Sequence, residues 1–161
     1  MSHVISRDGQ RPTALGSVAG ASSATSSSTT PLRSPWRWLA SALLLVAAGS
    51  HVPLIQEHLV EAPYIGVLFI LLAVVCTTLA AIVVIADTVP VWVAAGVVTA
   101  LAITAFLLSR TVGLPGLGDD VGNWTEPLGF PALGSELLVA VLAVLVVRHR
   151  GSPVVGHQLD V

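Results

Sequence analysis

The chain has 161 residues, 54% of them hydrophobic and only 10% charged. A soluble domain carries about 25% charged residues, so this composition excludes an ordinary soluble fold. The formal net charge of −2 says little, because the charges are segregated along the chain, and nucleic acid is not an expected partner.

Residues 1–35 show no apolar period, and 21–30 are almost pure Ser, Thr and Ala. Such a segment buries too little surface to offset its ordering entropy, so it reads as a disordered tail. Four apolar stretches follow, at about 38–55, 64–86, 91–109 and 131–147. Each approaches or exceeds the ~18–20 residues that a helix needs to cross a bilayer. The fold class is therefore all-α: an integral membrane four-helix bundle over residues 36–150, with tails at 1–35 and 151–161. The first stretch has the basic flank and small residues of a signal peptide. Its leader is too long for one and its apolar run continues past Gly49, so it reads as a retained span.

All seven basic residues are arginines, and their placement sets an orientation. Arg7, Arg11, Arg33 and Arg37 precede the first span, and Arg148 and Arg150 close the fourth. Basic flanks favour the cytoplasm, so both termini are expected there, on the inner side of a plasma membrane. The longer links, 56–63 and 110–130, then face outward, and their charge is mostly acidic. Pro63 and Pro90 sit where a helix begins and a missing N–H costs nothing, and Pro131 can start the fourth span in the same way. Trp36, Trp38 and Trp124 are expected at interfaces, and Trp92 at the cytoplasmic end of the third span. Ala95, Gly96, Thr99, Ala100 and Ala102 would let helices approach closely. The single cysteine, Cys76, is mid-span and reads as packing.

Polar residues near the outer ends supply the candidate site: His51, His58, Glu61, Arg110 and Glu136. On a straight helix, His51 and His58 share a face but are separated by a rise of ~10.5 Å. That is too far for one zinc ion with bonds of ~2.0–2.1 Å. A break at Pro53 would bring them closer, and His58 with Glu61 can share an ion without one. The plainer reading has His51 hydrogen-bonded near the interface and His58 capping or facing water. Arg110 and Glu136 are each costly at the membrane boundary unless paired, so an ion pair between them is expected. Asp119, Asp120 and Glu126 lack calcium-loop spacing and read as solvated loop charges. No phosphate loop, dinucleotide fingerprint, serine-nucleophile elbow or HExxH motif is present.

The phrases EHLVEAPYIGVLF, SRTVGLPG and EPLG together resemble an uncharacterised group of small four-span membrane proteins found mainly in actinobacteria. The resemblance spans roughly residues 51–138. It implies a four-span bacterial membrane protein whose outer polar positions are its working surface, and it brings no activity or cofactor with it. The expectation is a binding protein or accessory subunit in the lipid bilayer, with a membrane-protein partner or a second copy, and without covalent chemistry of its own. The alternative is a site for a metal ion, a proton or a small solute at the outer face.

Overall fold

The computed structural model describes residues 34–151. Most of the expected tails, 1–33 and 152–161, lie outside them. The described residues are helical, with helices α1 (Arg37–His51), α2 (Ile55–Glu61), α3 (Pro63–Ile85), α4 (Val89–Thr111) and α5 (Gly129–Gly151). Short 3-10 turns cover Val52–Leu54 and Gly118–Asp120. Four segments are long and apolar enough to cross a membrane: Arg37–Glu61, Pro63–Ile85, Val89–Thr111 and Gly129–Arg150.

The first segment runs further than the sequence suggests. Residues 56–61, expected in a loop, form α2. Pro53 lies in the first positions of the 3-10 turn, where a proline leaves no ladder bond unmade, so the chain stays helical. Helix α2 then meets α3 after one extended residue, Ala62, which is buried. Gly66 permits this approach: a Cβ there would stand 2.6 Å from Leu59 Cγ and 2.8 Å from the Leu59 backbone nitrogen.

Proline also shapes the other starts. Pro63 opens α3, and Pro90 lies in the first turn of α4, where the N–H it lacks has no intrahelical acceptor. Helix α5 starts two residues before Pro131.

Helix α1 packs on α3 and α5, and α4 packs on α5. Helices α3 and α4 are consecutive, yet touch each other much less. The middle of the bundle is built from small residues beside a few larger ones. Ala47, Ala95 and Cys76 are fully buried with Leu44 and Val139. A Cβ at Gly96 would meet the Ala143 Cβ at 3.0 Å, so α4 and α5 approach closely there. Small contact residues allow the interhelical packing that holds helices together in lipid.

At the Arg37 end, Asp87 links three elements. It lies between α3 and α4 with φ +41°, is 1% exposed, accepts the indole N–H of Trp92 at 2.7 Å and accepts the Ser34 backbone N–H. Trp92 is consequently fully buried beside Ala40, Val83 and Val146, near the start of α4 and so at the Arg37 end of the third span. Trp36, Trp38 and Trp124 are exposed.

Candidate functional site

The light contact between α3 and α4 leaves a cavity of about 390 Å³ in the half of the bundle that holds His51 and Arg110. Leu68, Leu71 and Val75 of α3 and Leu101 of α4 line it and are themselves exposed, so it opens on the flank between these helices. Its end wall comes from the 112–128 segment, including Leu114 and Leu117. Tyr64 ties that segment down by donating to the Pro115 carbonyl at 2.6 Å, and Leu117 packs with Ala62 and Ile65. Most of the wall is hydrocarbon, and the polar groups are few and clustered.

Two of these groups are imidazoles on either side of the 3-10 turn. His51 Nδ1–H donates to the Ala47 carbonyl and His58 Nδ1–H to the Leu54 carbonyl, each at 2.8 Å. A carbonyl can only accept, so Nδ1 carries the proton in both rings. Nε2 of each neutral ring then holds a lone pair. Both rings contact Phe69 of α3, with centroids 5.1 and 5.0 Å from it. The fixed tautomers follow from helix geometry, since a side chain meets the turn that precedes it.

Glu136 of α5 is 2% exposed and lines the same cavity. Its Oε1 lies 3.9 Å from His51 Nε2, beyond hydrogen-bond length, and has no hydrogen-bond partner. A buried polar oxygen without a partner is unusual and calls for an explanation.

Arg110, at the C-terminal end of α4, is 5% exposed and pairs with two loop acids. It binds Asp120 at 2.6 Å through Nη1 and Glu126 through Nη2. Gly122 N–H donates to the Arg110 carbonyl at 2.9 Å, so backbone and side chain together hold the returning loop. The guanidinium also faces the Phe106 ring at 5.2 Å, and its Nε has no partner.

The expected Arg110–Glu136 pair is therefore not formed. Arg110 is paired with Asp120 and Glu126, which are not the free solvated charges expected of them. Of the five candidate residues, His51, His58, Arg110 and Glu136 line the cavity, while Glu61 is exposed and does not. Among the described residues, no group of three or more His, Cys, Asp or Glu side chains is placed to hold a metal ion, so His58 and Glu61 gain no third ligand. Sequence reasoning missed Phe69 as the ring that both histidines touch. Its only signal was a place on α3 within a uniformly apolar stretch.

Fold and cavity define the class: an all-helical protein with four helices of membrane-crossing length and a flank-opening cleft that holds a few polar groups. Comparison with protein families, curated proteins and solved structures finds no match for the chain.

Proposed function

We propose that this is a small polytopic plasma-membrane protein that binds a small molecule in the cleft between α3 and α4. The observation that carries this reading is Glu136: a residue 2% exposed whose Oε1 has no partner and which lines a cavity of about 390 Å³. A largely apolar pocket with a few convergent polar groups is the usual form of a small-molecule site, and this volume falls within the usual ~300–1,000 Å³. A ligand supplies the partner that Glu136 lacks. The flank opening supports entry from the hydrocarbon layer. Arginines near both ends of the chain support cytoplasmic termini, which puts the cleft in the outer half of the membrane.

The accessory-subunit role is compatible with this reading, since a bound molecule can be passed to or sensed by a partner. A metal-ion site is supported less, because among the described residues no three His, Cys, Asp or Glu side chains are grouped to hold an ion.

The test is extraction. Protein purified from native membranes into nanodiscs carries a small molecule in near-stoichiometric amount, identified by mass spectrometry. Ala102→Phe, which fills the cleft from α4, loses it. No retained molecule, or equal retention by the filled variant, would refute the reading.

A further inference from the structure

We infer that the cleft takes an amphiphilic organic cation, with its protonated amine between Glu136 and His51 Nε2 and its hydrocarbon part between α3 and α4. This rests on the cleft being a small-molecule site, and it adds the class of ligand.

The polar inventory of the cavity is the first ground. His51 and His58 have each committed Nδ1–H to a backbone carbonyl, so each neutral ring offers an acceptor at Nε2. Glu136 Oε1 is an acceptor without a donor. Ser109, also on the wall, has committed its hydroxyl proton to the Phe106 carbonyl at 2.8 Å. A head group bearing several N–H donors matches this set. A carbonyl, ether or carboxylate head does not.

Charge is the second ground. The ionisable wall residues other than histidine are Arg110, Asp120, Glu126 and Glu136. The one cation already has two carboxylates, which leaves Glu136 as an uncompensated acid. An anionic amphiphile would have to compete with Asp120 and Glu126 for Arg110 and would lie in the same cavity as Glu136. Among the described residues, the buried donor without a partner that it would find there is Arg110 Nε. An ammonium ion supplies the missing charge without disturbing any existing pair. An all-polar cation would leave the Leu68, Leu71 and Leu101 walls against a hydrated ion, so an alkyl part is required as well.

The experiment compares three probes with one chain and different heads: radiolabelled decylamine, decanol and decanoate. Binding to the full-length protein in nanodiscs is measured as saturable uptake above empty nanodiscs. Decylamine is expected to bind, with decanol and decanoate much weaker. Glu136→Gln is expected to weaken decylamine by ~10- to 100-fold, the worth of one hydrogen bond to a charged group. Its folding is checked by thermal stability, which the neutral side chain should preserve. Leu101→Ala keeps Glu136 but trims the wall, and it should weaken all three probes alike. Decanol or decanoate binding as well as decylamine, with no loss in Glu136→Gln, overturns the cation assignment while leaving the cleft as a site. Failure of every probe to show saturable uptake overturns both.

Discussion

Arg110 should tolerate its own removal better than the removal of its partners. Arg110 is 5% exposed, whereas the Asp120 and Glu126 side chains keep 24% and 23% of their surface in contact with solvent. At 2.6 Å and an effective dielectric of 20, the Asp120 pair alone has a gross attraction of ~6 kcal/mol, most of it offset by desolvation. The net effect depends on the survivor. In Arg110→Leu, the two acids can turn outward and rehydrate, so the loss should be about 1–2 kcal/mol, in the range of a typical point substitution. In the double variant Asp120→Asn with Glu126→Gln, the buried guanidinium keeps amide oxygens but no countercharge. That loss should approach the ~3–5 kcal/mol of a broken buried pair. Combining all three substitutions should bring the cost back to that of Arg110→Leu. Glu136→Gln, in contrast, should add to Arg110→Leu within ~0.5 kcal/mol, because the two are not paired. Unfolding by denaturant titration in detergent micelles measures each value. A larger loss for Arg110→Leu than for the double acid variant would refute the reasoning, and so would strong coupling between Arg110 and Glu136.

Two further outcomes are expected. Asp87→Ala should cost about 2–4 kcal/mol in the same titration, since it strands the Trp92 and Ser34 N–H donors and puts alanine at a positive φ. Trp92→Phe should cost less, and its effect should largely vanish in the Asp87→Ala background. In sealed cells with Cys76 replaced, an impermeant thiol reagent should label Asn123→Cys and spare Ser23→Cys and Ser152→Cys. Labelling at Ser152→Cys would overturn the four-span orientation.

The helices were legible because the bilayer imposes a length on each apolar run, and hydropathy reads that length directly. The end of the first span was not. The 55–61 segment has the polar residues of a loop, and its helicity depends on Leu59 meeting Gly66 of the next helix, a tertiary contact. Asp87 looked like an ordinary link residue. Its importance comes from a left-handed backbone and two donors, one of them 53 positions away in sequence. Histidines 51 and 58 stood out by residue type, but their common neighbour Phe69 did not, because a phenylalanine in an apolar span carries no distinguishing mark.

The Arg110–Glu136 expectation shows where helix-based reasoning stops. It matched the two charges nearest the ends of adjacent helices and treated the connecting loop as solvated. The loop instead doubles back, with Gly113, Gly116 and Gly122 all at positive φ, and brings acids 10 and 16 positions downstream onto the guanidinium. Glycine makes that path accessible, and no hydropathy pattern records it. The consequence reaches the proposed function. Had Arg110 met Glu136, the two would have formed a neutral lock, and the cleft would hold no uncompensated charge. Because Asp120 and Glu126 balance the arginine's charge, Glu136 stays unpaired in an apolar cavity beside a histidine lone pair. The same loop that closes the end of the bundle thus leaves the cleft an acid for a cation to meet.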